Sequence, residues 1–150
     1  MEFKKILFFS LKFFLAFGLC LFLLSFTPDF VLEFEAGAVH SVLSLVSYSV
    51  LDGKALFFGG VSFEFVAECT GLTLIGLLFS LYFATGLKFN LRFIYYSIFL
   101  VLFNIFRIVV TLLLSNLLAF DLVHVTFYFI DSLLVFFVWK HEFSKQNLKT

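Results

Sequence analysis

The sequence has little charge and few cysteines. Charged residues make up 13% of its 150 residues, and ten basic side chains balance ten acidic ones, so the formal net charge is zero. A nucleic-acid partner is not expected, because binding a phosphate backbone requires clustered positive charge. The two cysteines, Cys20 and Cys69, are too few for a disulfide framework or a zinc site. We expect no metal and no other cofactor.

Apolar side chains are abundant instead. They account for 63% of the residues, 27 residues are phenylalanine, and the mean hydropathy is +1.14. A soluble domain of this size leaves a large share of its surface in water and could not hide so many apolar side chains. The composition therefore predicts an all-α polytopic membrane protein, folded as a single integral-membrane domain in the lipid bilayer.

About four stretches are apolar and nearly long enough to cross a membrane, which takes roughly 20 residues. They cover residues 6–26, 70–87, 93–118 and 122–139. The first resembles a signal peptide, but no small-x-small cleavage site follows it, so we expect a retained anchor. The stretch 36–51 is shorter and contains His40 and four serines. It favours a helix that lies in the membrane interface or re-enters the membrane.

Basic residues set the predicted orientation, because cytoplasmic segments of membrane proteins are enriched in lysine and arginine. With four spans and the N-terminus inside, the inner side collects Lys4, Lys5, Lys12, Lys88, Arg92, Lys140, Lys145 and Lys149. The outer segments hold only Lys54. A fifth span through 36–51 would move Lys88 and Arg92 outside, so we reject it. Both termini, including a basic tail at 140–150, are expected in the cytoplasm.

A short β-hairpin is predicted on the outer side. In "ALFFGGVSFEF", residues 55–65, Gly59-Gly60 separates two apolar-aromatic runs. Two glycines supply the positive φ angles that a two-residue hairpin turn requires. The second run leads directly towards Cys69.

Polar side chains inside the predicted spans are informative, because a charge in lipid costs about 2.5–3.5 kcal/mol. Asn104 and Arg107 share one face of the third span. His124 and Asp131 share one face of the fourth, which a short connection makes an antiparallel neighbour of the third. Asn104 is expected to form a hydrogen bond between helices. At about 1.5 Å per residue, Arg107 and Asp131 match in depth, so Arg107 serves either an active site or a buried ion pair.

Cys69 stands at the predicted start of the second span, directly before Thr70 and Gly71. Backbone N–H groups at a helix start carry partial positive charge, which favours a thiolate over a thiol. Gly71 allows a close backbone approach. Together with Arg107 and His124, the thiol suits acyl chemistry. A thiolate attacks a carbonyl, an imidazole moves protons, and a guanidinium donates to a developing oxyanion.

The ordered set of "ECTGL" (68–72), "NIFRI" (104–108) and His124 resembles the exosortase/archaeosortase family of membrane cysteine transpeptidases. The resemblance covers about residues 56–135, with Thr70 where the family usually has serine. It implies that Cys69 is the nucleophile, Arg107 the oxyanion or substrate-positioning group and His124 the proton carrier. The implied substrate is an exported protein with a C-terminal hydrophobic tail, cleaved outside the cytoplasm. The acyl group would pass to an amine-bearing lipid or glycan, or to water.

A non-enzymatic membrane protein is the alternative. A small transporter or channel, or a subunit of a membrane complex, would use Arg107 and Asp131 as a structural or switching pair. Such a protein would tolerate the loss of the Cys69 thiol, whereas the enzyme would not.

Overall fold

The computed structural model describes residues 2–115 and 118–147, which form five α-helices and one three-stranded sheet. Their order is α1 (Glu2–Leu24), α2 (Asp29–Leu43), β1 (Ser49–Asp52), β2 (Ala55–Phe58), β3 (Val61–Glu64), α3 (Gly71–Thr85), α4 (Leu91–Leu114) and α5 (Phe120–Asn147). A 3-10 turn, Ala67–Cys69, leads into α3. The described chain is mostly helical, as the composition predicts.

Three helices in the described part of the chain are long and apolar enough to cross a membrane. The apolar segments are Phe3–Leu24, Leu91–Leu114 and Leu122–Gln146. They correspond to the first, third and fourth predicted spans. The helix in the second, α3, is apolar but has 15 residues, about 22 Å against a hydrocarbon core of about 30 Å. The described chain therefore has three helices that could cross a membrane, and α3 is shorter than a full crossing.

Several boundaries differ from the sequence-based predictions. The helix expected at 36–51 is α2, Asp29–Leu43, because Leu32, Ala36 and Val39 recur at helical spacing and pack into the core. Residues 49–51 belong instead to β1, whose backbone pairs with β2. The expected basic tail at 140–150 is helical as far as Asn147, since α5 continues without interruption. α4 ends at Leu114, so Ser115 and Leu118 of the predicted third span follow this helix; residues 116–117 lie outside the described residues.

The predicted hairpin is confirmed. Gly59 and Gly60 have φ angles of 58° and 81°, and β2 and β3 are antiparallel with Phe58 opposite Val61. The sheet also contains β1, which places Ser49 opposite Phe58. A single hairpin is barely stable in water. With β1 as a third strand, the hairpin becomes part of a sheet that can pack against α2.

The buried apolar side chains form two clusters at different heights along α4. The first joins α2 and the sheet to the later part of α4, including Ile108 and Leu112. The second joins α3 and α5 to Leu100, nearer the start of α4. Between these heights, α4 carries the buried polar residues Asn104 and Arg107. The fold thus places a polar layer between two apolar clusters.

The start of α3 lies directly against α4 at Gly71. A Cβ atom added to Gly71 would lie 2.9 Å from the Val101 Cα, closer than carbon atoms can pack. The close approach expected of Gly71 is therefore present.

Replacing Gly71 with alanine should push α3 away from α4, because the obstructing atom belongs to the backbone. We expect the free energy of unfolding to fall by about 1–3 kcal/mol, the usual cost of overpacking, measured as a lower midpoint of thermal unfolding in detergent. Gly18→Ala on α1 is the matched control, since nothing lies within 4 Å of its added Cβ. Equal midpoints for the two variants would contradict the close packing described here.

Candidate active site

Two polar side chains in the middle of α4 are buried. Asn104 and Arg107 lie one turn apart, and their exposed fractions are 2% and 1%. Buried groups of this polarity require partners, because lipid and apolar side chains offer no hydrogen bonds. Their partners define the site.

Asn104 connects α4 to the segment that carries Cys69. Its side-chain Nδ2 donates to the Cys69 carbonyl oxygen at 2.8 Å and to Glu35 Oε1 on α2 at 2.7 Å. The predicted interhelical hydrogen bond of Asn104 is therefore confirmed. It also holds the backbone of Cys69 at the height of Asn104.

Glu35 is a site residue that sequence reasoning missed. Besides the Asn104 amide, its Oε1 accepts the backbone N–H of Gly71 at 3.2 Å. The carboxylate thus caps the first turn of α3 from a different helix. A sequence signal existed, because Glu35 interrupts the apolar face of α2 between Leu32 and Val39.

Cys69 ends the 3-10 turn immediately before α3, close to its predicted position at a helix start. It is 7% exposed and is not part of a disulfide. The Thr70 hydroxyl donates to the Ala67 carbonyl at 2.7 Å, so it closes the turn and leaves the capping of α3 to Glu35. The thiol therefore lies directly before the first turn of α3.

Arg107 forms the buried ion pair that its depth predicts. Its Nη1 lies 3.1 Å from Asp131 Oδ2, and both side chains are at most 2% exposed. The contact is a charge pair without hydrogen-bond alignment. Within residues 2–115 and 118–147, Arg107 Nε and Asp131 Oδ1 are buried with no hydrogen-bond partner.

Tyr128 is the second residue that sequence reasoning missed. The Arg107 guanidinium carbon lies 4.6 Å from the centre of its ring, a cation–π distance. The half-buried imidazole of His124 contacts the same ring edge-on, with 4.7 Å between ring centres. The Tyr128 phenol is also within electrostatic range of Cys69 and Asp131. Its spacing from His124 and Asp131, four and three residues, was a readable helix-face signal.

The structure therefore gathers the predicted residues in two linked groups. Asn104 holds Cys69, and Tyr128 joins Arg107 to His124 and lies within electrostatic range of Cys69. Such a site offers a sulfur nucleophile, a proton-carrying imidazole and a fixed guanidinium. In the described part of the chain, no three histidine, cysteine or acidic side chains lie together as metal ligands would.

No known family model, characterised protein or solved structure matches this chain. Its function therefore has to be inferred from the residues and geometry of the site.

The ionisation of Glu35 should set a pH dependence of stability. Burial raises the pKa of Glu35 above its ordinary value of 4.5, while the hydrogen bonds from Asn104 and Gly71 and the charge of Arg107 oppose that rise. The folded state then holds a proton that the unfolded state releases, so stability is highest below pH 4.5 and falls as the pH rises through the folded-state pKa.

We expect Glu35→Gln to remove this loss of stability. Its thermal midpoint in detergent, relative to that of wild type, should therefore increase as the pH rises from 4.5 to neutrality. Glu33→Gln, on the exposed side of α2, is the matched control and should keep the wild-type slope. Parallel pH profiles for wild type and Glu35→Gln would show that the carboxyl group is not perturbed.

The Arg107–Asp131 pair should respond to mutation as a unit. Removing one partner from a buried pair leaves an uncompensated charge, at a cost of about 3–5 kcal/mol. We therefore expect Arg107→Gln and Asp131→Asn each to lower the thermal midpoint strongly, and the double variant to lose less than the sum. Ser132→Ala, on the exposed side of α5, should leave it unchanged. Additive effects would mean that the two charges do not stabilise each other.

Proposed function

We propose that this chain is a membrane-embedded cysteine peptidase or transpeptidase that cleaves exported proteins near a C-terminal hydrophobic tail. The carrying observation is the hydrogen bond from Asn104 to the Cys69 carbonyl. It ties the thiol-bearing segment to the face of α4 that also presents Arg107, one turn away. The resemblance to exosortases and archaeosortases supports the same reaction.

In the proposed reaction, the Cys69 sulfur attacks the scissile carbonyl carbon and Arg107 donates hydrogen bonds to the developing oxyanion. The C–N bond breaks to leave a thioester, and His124 passes to the departing amine the proton that it took from the Cys69 thiol. An amine-bearing lipid or glycan, or water, then attacks the thioester and restores the thiol. Pairing with Asp131 through one nitrogen orients the guanidinium for this role.

Tyr128 serves the proposed site as a positioning residue. Its ring contacts both the guanidinium and the imidazole, so it sets the separation between the oxyanion donor and the proton carrier. Small displacements of such groups are costly in catalysis, because the reacting geometry tolerates little error.

The proposal includes a four-span topology with α3 as the short fourth crossing and both termini in the cytoplasm. The excess of lysine and arginine at the start of α1, between α3 and α4 and at the end of α5 supports this orientation. Cys69, His124 and the sheet then lie towards the extracytoplasmic side, where a tail-anchored substrate presents its cleavage site.

The buried ion pair also favours a second candidate, a non-enzymatic transporter, channel or complex subunit. Arg107 and Asp131 are both buried inside membrane-length helices. Charged residues are rare there, and those that occur are usually paired or take part in function. Such a protein makes no use of the thiol, so the cysteine distinguishes the two candidates.

Replacing Cys69 with alanine should abolish tail removal in cells while the variant still accumulates in the membrane, because no other group supplies the nucleophile. Processing is followed by the size of exported proteins that end in a hydrophobic tail and a basic segment. Cys20→Ala is the matched control, since Cys20 packs against Gly76 between α1 and α3 and should process normally. Normal processing by Cys69→Ala would eliminate the peptidase and leave the non-enzymatic candidate.

A further inference from the structure

A separate cleft lies at the end of the bundle where α4 begins and α5 ends. It encloses about 870 Å³ between the loop from Gly86 to Asn90, the first turn of α4 and the last turns of α5. This volume is in the range of small-molecule sites. The cleft is on a different part of α4 from Arg107 and belongs to no function discussed above.

Three basic side chains from three segments line the cleft: Lys88 on the loop, Arg92 on α4 and Lys145 on α5. Arg92 lies 3.4 Å from Glu142, which is fully buried. Lys88 and Lys145 have no ion-pair partner among the residues that the structure describes. The cleft therefore presents more positive charge than its own carboxylate neutralises.

The walls of the cleft are fixed by side-chain hydrogen bonds. The Lys88 backbone N–H donates to Gln146 Oε1 at 3.1 Å, and Gln146 Nε2 donates back to the Lys88 carbonyl at 3.3 Å. Asn90 and Gln146 both donate to Glu142 Oε1. These contacts hold like charges near one another, an arrangement that an anion would stabilise.

The cleft lies where a phospholipid headgroup would be found. The membrane-length segment of α4 begins at Leu91, which lines the cleft and is 62% exposed, as is Tyr95 one turn further. Exposed Ile94 and Ile98 continue the same helix into the membrane-length segment. A bound molecule with a phosphate and acyl chains would meet the cations at one end and apolar side chains at the other.

We propose that this cleft binds the phosphate headgroup of an anionic phospholipid. Lys88 and Lys145 supply the unpaired charge, Arg92 adds donors, and the exposed apolar face of α4 receives an acyl chain. The site is independent of the proposed peptidase activity.

Native mass spectrometry of the full chain, purified with equal amounts of phosphatidylglycerol and phosphatidylcholine, tests this site. We expect wild type to retain phosphatidylglycerol in preference to phosphatidylcholine. In Lys88→Gln/Lys145→Gln, the amount of bound phosphatidylglycerol should fall by about fivefold for each lysine replaced, the effect of a basic side chain near an anionic lipid. Lys4→Gln/Lys5→Gln removes the same charge at the start of α1 and should retain the lipid. Thermal midpoints check that both double variants remain folded.

Two results would contradict the proposed lipid site. One is no preference for phosphatidylglycerol in wild type, and the other is an equal loss of bound phosphatidylglycerol in both double variants. Excess inorganic phosphate distinguishes a lipid from a soluble phosphate. A lipid held also through its acyl chain stays bound, whereas displacement by inorganic phosphate would refute the lipid assignment.

Discussion

One carboxyl oxygen, Oε1 of Glu35, fixes the positions of three helices relative to one another. It accepts N–H groups from the first turn of α3 and from the middle of α4 while belonging to α2. A buried carboxyl group is tolerated only when donors converge on it, so both helices are held at a defined height and rotation. Because Asn104 holds Glu35 and the Cys69 carbonyl with the same nitrogen, the position of the thiol depends on this oxygen.

The charges in the polar layer balance when Glu35 carries a proton. Arg107 and Asp131 neutralise each other across 3.1 Å, and burial raises the pKa of Glu35 towards its neutral form. A second ionised carboxylate beside one guanidinium would leave net charge between two apolar clusters, which is costly. Burial therefore shifts the pKa of Glu35 in the direction that lowers this cost.

Much of this arrangement could be predicted from sequence, and the exceptions have physical causes. Apolar runs predict the long helices, Gly59-Gly60 predicts the hairpin, and equal depth predicts the ion pair. Glu35 was missed because its partners lie 36 and 69 residues away, and an acid on a short helix normally faces water. Tyr128 was missed because one more aromatic residue among so many looks like a lipid-facing side chain. The strand β1 was missed because pairing with β2 outweighs the local character of a serine-rich segment.

The height of Cys69 along α4 has a consequence for which molecules can reach it. Cys69 is level with Asn104, ten residues before α4 ends at Leu114, or roughly 15 Å along the helix axis. α2 and the sheet pack on Ile108 and Leu112 and so shield this part of α4. Oxidants and other water-soluble reagents that approach from this end of α4 meet α2 and the sheet before they meet the sulfur, which is 7% exposed. Any molecule that reacts with the sulfur from this end must therefore first displace part of that packing.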